Sequence, residues 1–499
     1  MSRTSTLAIA AALALVGLTG VPRCRTIDVA VAPGVVTLRG GVRGAAFGSA
    51  LCAADLDGDG SEELVVGAPG SLAPGDAAPL GAVFVYTRRD LASPAETPVA
   101  ARRVFRGTSG ASRFGRALCA ADIDGDGLHD LIVGAPDEGS GLNVGRGAVF
   151  IYRGDAGFID GEGESVPAVV VGGAAGKRFG AAILVAPIGE NGRSVLVVAA
   201  PGSGGPEARE VGRVALIPLS RLPAPGETLA VDAVASAVIE GESPGDALAG
   251  LAAADIDGDG RKELVLGAYC ADGPEGEPDV GKLLATRVPA PSAEGGLGLD
   301  PAVVATVIGS IPRGFLGRSI AVGDIDADGL DDILVSAYAA GEDDREARGE
   351  AYVLYGGTLD PGETLTLPAP DVPRFTGSKW DLLGLPVLVA DLNGDASEDI
   401  LIASQFADGD ERRRCGRVSV FLGSLPSVVL AKAGDPDLSD VTILGENPLD
   451  SLGGSMLVAD LTGDAAVDVI MGAPDAKNGG RDAPAAGKVV ILDGGLVRP

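Results

Sequence analysis

Residues Asp55–Pro69 read DLDGDGSEELVVGAP. Aspartates at alternate positions, a glycine at position 6 and an acid at position 9 suit a tight turn that gathers oxygen atoms. An EF-hand loop shares the first half of this pattern but places glutamate at position 12 and a helix after it. Here position 12 is Val66 and the last acid is Glu63 at position 9. The continuation LVVGAP is rich in β-branched residues and ends in turn residues, which predicts a strand. An ion held here would sit in a turn between two strands.

The stretch recurs as DIDGDGLHDLIVGAP from Asp122, DIDGDGRKELVLGAY from Asp255 and DIDADGLDDILVSAY from Asp324. Two looser copies are DLNGDASEDILIAS from Asp391 and DLTGDAAVDVIMGAP from Asp460. Eight residues before the first aspartate stands Phe47-Gly48, Phe114-Gly115, Leu316-Gly317, Leu383-Gly384 or Leu452-Gly453. Neighbouring loops start 67 to 69 residues apart, and the gap of 133 between Asp122 and Asp255 has room for one more repeat. FGAAILVAPIGENGRSVLVVAAPG from Phe179 fills it, with Pro187, Gly189, Asn191 and Val195 in place of the four acids. That repeat keeps its strands without its ligands. The next repeat keeps its loop but reads Ala247-Leu248 where Phe-Gly is expected. Seven repeats therefore begin near residues 47, 114, 179, 247, 316, 383 and 452.

After each GAP and a variable loop comes another strand-like run, such as GAVFVY at Gly81, GAVFIY at Gly147 and GKVVILD at Gly487. A fourth run precedes the next repeat, as in RRVFRG at Arg102 and ATVIGS at Ala305. Four short strands repeated seven times predict an all-β fold, a seven-bladed β-propeller with four-stranded blades. The seventh repeat ends in VVILDGGLVRP with no fourth strand, whereas GVVTLRG at Gly34 stands before the first repeat without a blade. Pairing this N-terminal strand with the last blade would close the ring and remove two exposed sheet edges. The propeller is expected over residues 34–495, with 496–499 as a tail.

The 499 residues include 77 glycines and 33 prolines, with 46% hydrophobic and 4% aromatic residues, a composition suited to many turns and short strands. The net charge of −30 argues against a nucleic-acid partner, whose phosphates call for a basic surface. Arg3 followed by the apolar stretch Leu7–Leu18 reads as a signal peptide over residues 1–23, with 24–33 as a linker. That stretch is too short for a comfortable membrane span. An exported protein is expected, extracellular, at the cell surface or periplasmic. Cys24, Cys52, Cys119, Cys270 and Cys415 lack the spacing of a sulfur metal site, and free thiols are expected at Cys52 and Cys119.

Clustered carboxylates with a backbone carbonyl suit Ca²⁺, a hard ion that takes six to eight oxygens. The first loop offers Asp55, Asp57, Asp59 and Glu63 with the Ser61 carbonyl; the second offers Asp122, Asp124, Asp126, Asp130 and Leu128. The fourth repeat offers Asp255, Asp257, Asp259, Glu263 and Arg261, and the fifth Asp324, Asp326, Asp328, Asp332 and Leu330. In the sixth the set is Asp391, Asn393, Asp395, Asp399 and Ser397, and in the seventh Asp460, Thr462, Asp464, Asp468 and Ala466. Up to six ions are thus expected, none in the third blade. Gly60, Gly127, Gly260 and Gly329 allow the sharp turn, whereas Ala396 and Ala465 do not, so the sixth site is expected to be weaker and the seventh weakest.

Together, the FG pair, the D-x-D-x-D-G-x-x-[DE] loop and the GAP segment resemble the FG-GAP repeats of the integrin α-chain propeller and of secreted bacterial proteins. The resemblance covers roughly residues 34–495 and implies a seven-bladed propeller with calcium between the first two strands of a blade. It also implies a ligand-binding or cell-adhesion module, with a protein or glycan ligand. Leg domains, a C-terminal span and an inserted von Willebrand-type domain are not recognisable, so a receptor role is not carried over.

His129 is the only histidine and stands at position 8 of a metal loop, so no Ser-His or Cys-His nucleophile can be assembled elsewhere. No zinc-protease or phosphate-loop motif occurs. The expectation is a non-enzyme with calcium as a strut, its ligand on the face opposite the loops. A glycan-active hydrolase or lyase and a purely structural calcium-stabilised protein are the alternatives. YRGD at Tyr152 contains the tripeptide that integrins recognise, but its place at a strand end favours coincidence.

Overall fold

The computed structural model describes residues 25–497, except 33, 73–77, 93–99, 161–165, 174–175, 190–191, 203–210, 244, 289–301, 342–345, 360–361, 410–411, 424–438 and 478–484. The expected signal peptide and Cys24 lie outside the described residues. Blade 1 consists of Ala50–Ala54, Glu63–Ala68, Ala82–Tyr86 and Arg103–Arg106, each strand antiparallel to the next. Six further sheets repeat that order, giving seven blades.

Strand composition follows from position in the ring. First strands line the axis: those of blades 1 and 2 are short runs of mostly small residues, ALCAA at Ala50–Ala54 and at Ala117–Ala121, whereas Leu316–Gly323 and Leu383–Ala390 of blades 5 and 6 run to eight residues. They touch one another in a closed cycle that ends with Ser455–Ala459 against Ala50–Ala54. Second strands such as Asp130–Ala135 are buried along their whole length, since a blade has another blade on each face. Seven apolar clusters fill the seven spaces between neighbouring blades; Phe47, Leu64 and Ile470 belong to the one joining the last blade to the first.

Phe-Gly supplies the joint. Phe114 is fully buried, edge-on to Phe150 at 5.3 Å within its own blade, and its backbone bridges Gly81 of the blade before. Gly81 has φ +82°, and a Cβ there would meet the Phe114 carbonyl oxygen at 2.3 Å. Glycine before the third strand is therefore a condition of blade contact. In blade 4 the residue against the corresponding glycine, Gly212, is Leu248. The sequence pair Ala247-Leu248 is thus displaced by one residue from Phe-Gly, and a bulge between Leu248 and Gly250 takes up the difference.

Closure occurs as the strand count anticipates. Val35–Arg39 is antiparallel to Lys488–Leu492, with Val35 opposite Leu492 and Arg39 opposite Lys488. Arg25–Asp28, inside the expected linker, instead forms a strand that adds in parallel to Val441–Leu444 of blade 6. Thr228–Ala230 adds likewise to blade 2, and Thr364–Leu367 to blade 4. Each added strand comes from the segment before the next blade's fourth strand, and each covers an otherwise open edge. The expected tail also belongs to the core at its start: Val497 is buried between blades 6 and 7.

Candidate metal loops and the opposite face

Every acidic loop connects the first and second strands of its blade, so all six open on one face. Their backbone is organised by their own aspartates. The first aspartate accepts from the amide at position 6: Asp55 from Gly60 at 3.0 Å, Asp122 from Gly127 at 3.0 Å, Asp255 from Gly260 at 2.9 Å. Asp324, Asp391 and Asp460 accept likewise from Gly329, Ala396 and Ala465. The fifth-position acid accepts from the amide at position 7, as Asp59 does from Ser61 and Asp464 from Ala466.

The ninth-position acid starts the second strand and is buried. Glu63 is 1% exposed, and its Oε2 accepts from the Leu56 amide at 3.0 Å. Burial pushes its carboxyl up to about 8, with Asp57, Asp59 and Asp55 adding repulsion. Asp332 and Asp399 are pushed up to about 6, again chiefly by burial.

Four loops bring three carboxylates together with oxygens within 4.8 Å of one another: Asp55, Asp57 and Glu63; Asp122, Asp124 and Asp130; Asp255, Asp257 and Asp259; Asp324, Asp326 and Asp332. Asp59, Asp126, Glu263 and Asp328 stand outside these sets. Among the described residues, loops 6 and 7 form no such group of three. In loop 6 Asn393 donates to Asp395 at 3.0 Å, and in loop 7 Thr462 donates to Asp468 at 3.4 Å. The turn of the third blade instead runs from Arg193 O to Gly189 N at 2.9 Å.

A hard cation fits the four sets. Their donors are all oxygen, and the buried Oδ1 of Asp255 has no hydrogen-bond partner. Several buried acidic clusters therefore have the chemistry to hold a metal ion.

Three loops also carry a neighbouring arginine that the sequence reading did not foresee. Arg153 lies 2.8 Å from Asp130 and 3.5 Å from Asp124. Arg287 pairs with Asp257, with Asp259 at 3.2 Å and with Glu263 at 3.3 Å. Arg88 of blade 1 reaches the loop of blade 7, donating to the Thr462 carbonyl at 3.0 Å. Arg153 follows directly on a third strand and Arg287 ends one, which is the signal that could have paired them. Since Arg153 is also the arginine of YRGD, that tripeptide is tied to its own loop rather than displayed. His129 is exposed, and its amide donates to the Asp55 carbonyl at 3.2 Å, linking loops 1 and 2.

On the other face run the connections between second and third strands and between blades. Exposed apolar side chains there include Val42, Leu142, Val144, Trp380 and Leu449, while Val166, between a third and a fourth strand, is exposed on the acidic face. Cys52, Cys119, Cys270 and Cys415 are free thiols.

The FG-GAP repeat family model matches residues 47–86, 114–152 and 316–354. The phosphatidylinositol-glycan-specific phospholipase D of Homo sapiens is 41% identical over 113 residues, 22% of this chain and 13% of that relative. Integrin alpha-V of Gallus gallus is 31% identical over 243 residues, covering 45% of this chain and 20% of the relative. Integrin alpha-4 of Xenopus laevis is 38% identical over 112 residues, 22% of this chain and 10% of the relative. The matches thus span 20% or less of the length of these relatives. With three repeats matched and the others closing the same seven-bladed ring, the chain is an integrin-like FG-GAP repeat propeller.

Proposed function

We propose that the chain is an exported, calcium-binding propeller that acts as a non-catalytic ligand-binding or cell-adhesion module. The observation that carries this reading is the contrast between its two faces. One face is a set of acidic turns built from self-organised loops. The other holds Leu142 at 96% exposure and the single tryptophan, Trp380, at 54%. Among the described residues, no large exposed apolar side chain lies in a loop between first and second strands. Apolar anchors on loops of a rigid scaffold are the usual substance of a binding surface.

Calcium would be held by the acids at positions 1, 3, 5 and 9 with the carbonyl at position 7. Bound there, it supplies the positive charge that the buried carboxylates need, joining the two strands of a hairpin. The sixth site is weaker and the seventh weakest, because Thr462 removes a charge and Arg88 already supplies one. Export rests on the apolar N-terminal run and on the integrin-like repeats; no described helix is long and apolar enough to cross a membrane.

An array of matrix proteins and glycans, probed with and without calcium, tests the reading. A ligand whose capture falls at least tenfold with Trp380→Ala or Leu142→Ser, at unchanged melting temperature, supports it. Capture by neither class, or capture indifferent to both substitutions, overturns it. The hydrolase alternative draws on the similarity to a phospholipase D. Turnover of a phosphatidylinositol-glycan by the purified chain would favour that alternative.

A further inference from the structure

Around the axis, every blade except the fourth lines a cavity of about 950 Å³ that opens on the face away from the acidic loops. Its walls are mostly alkyl, with Leu51, Leu118, Ile183, Leu385 and Met456 among them. Three arginines stand in this lining; Arg113 is paired with Asp137 at 2.9 Å, which leaves Arg116 and Arg318. Both occupy the second position after the joint residue, Phe114 or Leu316. Elsewhere that position holds Ser49, Ala181, Gly250, Leu385 or Gly454, so the charge is particular to blades 2 and 5.

Both guanidiniums are uncommitted. Among the described residues, no carboxylate lies within ion-pair reach of either and neither side chain makes a hydrogen bond; Arg318 lies over the Tyr269 ring, 5.0 Å from its centroid. Of the lining acids, Asp137 is already shared by Arg113 at 2.9 Å and Arg178 at 3.3 Å, and Asp475 is the other. Burial lowers the proton affinity of Arg116, and the charges of Arg318 and Arg113 lower it further. Like charges held together in a partly desolvated space call for an anion. A chain of net charge −30 has acids to spare, yet among the described residues it places none opposite these two.

The neutral polar groups of the lining narrow the class of ligand. Ser49 donates to the Ala46 carbonyl at 2.7 Å and Ser455 to the Gly48 carbonyl at 2.7 Å. Gln405 donates to the Leu385 carbonyl at 2.6 Å, and Ser319 accepts from the Val387 amide at 3.1 Å. These groups are engaged by the backbone, so a hydroxyl-rich sugar would find few partners among alkyl walls. A peptide with an acidic side chain between apolar neighbours matches both the walls and the charge.

We propose that the central cavity receives a carboxylate side chain of a polypeptide partner, held between Arg116 and Arg318 with its apolar neighbours against the alkyl walls. This rests on the binding-module reading and assigns it a centre. Arginine suits the task because its planar fork gives paired, charge-assisted bonds to a carboxylate.

The test uses a fluorescein-labelled, end-capped peptide of alternating leucine and glutamate, its glutamine counterpart, and a hyaluronan oligosaccharide as a carboxylate from a sugar. Fluorescence anisotropy, with competition for the sugar, compares the full chain with Arg116→Gln, Arg318→Gln and the double variant. Arg213→Gln on an outer strand is the control, and melting curves confirm folding. The glutamate peptide is expected to bind the native chain and the control alike, and to weaken about tenfold or more in each cavity variant. The glutamine peptide should bind as weakly to the native chain as the glutamate peptide does to the double variant. Absence of binding, equal binding by the double variant, or preference for the sugar overturns the proposal. If an array ligand still binds the double variant, the cavity proposal fails and the binding-module reading stands. If neither array ligand nor peptide binds the native chain, both fail.

Discussion

At the scale of single residues, the repeat is held by a few backbone conformations that side chains rarely adopt. Gly81 combines φ +82° with a Cβ position blocked by Phe114. Gly81→Ala is therefore expected to lose about 1–3 kcal/mol from backbone strain alone, read as a lower urea midpoint. An unchanged midpoint would remove the joint from the account. The opposite substitution tests the turn. Ala396 sits at φ +66° where four other loops have glycine, a conformation costly for an L-residue. Ala396→Gly is expected to raise stability by about 1 kcal/mol, and a fall would show that the loop pays more for chain entropy than for strain. These positions were legible in the sequence because glycine leaves a mark at a fixed offset. Arg153 and Arg287 were not: their place at the end of a third strand becomes a signal only once the hairpin they reach across is in place.

Among the elements, the four strands of each blade followed from β-branched runs between turn signals recurring in each repeat, and the orphan strand at Val35–Arg39 followed from a deficit at the other end. The three added strands left no comparable trace. Each is three or four residues long and pairs in parallel with a strand of the preceding blade, so neither its pattern nor its spacing announces it. The one at Arg25–Asp28 is fixed by a two-pronged ion pair, Arg412 to both oxygens of Asp28 at 2.8 and 2.7 Å. The hydrogen bond from Arg412 is the main reason the Asp28 carboxyl is held below its ordinary value. Its stabilisation is present above the unfolded-chain value of about 3.9 and fades as pH falls through the lower folded value. Asp28→Asn should thus cost up to about 1 kcal/mol at pH 7, given that the pair is partly exposed. The thermal midpoints of the two proteins should converge as pH drops towards 2. A constant gap at all pH values would mean that the side chain's shape, rather than its charge, fastens the strand.

For the whole molecule, the decisive fact is a ring without a free end, carrying its acids on one face and its two uncommitted arginines at the centre of the other. The ring was readable from seven repeats and one missing strand. The meeting of Arg116 with Arg318 was not, since 202 residues separate them and only the curvature of seven blades brings them together. The proposed calcium acts at this scale as well. Six ions would take the formal charge from −30 to −18, and each would bind only the folded hairpin. A site held at a hundred times its dissociation constant adds about 2.7 kcal/mol. The first-strand ring makes neighbouring blades lean on one another, so losing the ions at several loops should be felt as one event. Melting curves in millimolar calcium, in chelator, and in chelator with magnesium decide the matter. The expected result is a fall of several degrees in chelator that magnesium does not repair, because magnesium demands a stricter octahedron than these acidic turns present. Coincident curves in all three conditions would leave the loops as solvated turns and withdraw calcium from the account, while the ring, which rests on its seven apolar interfaces, would stand.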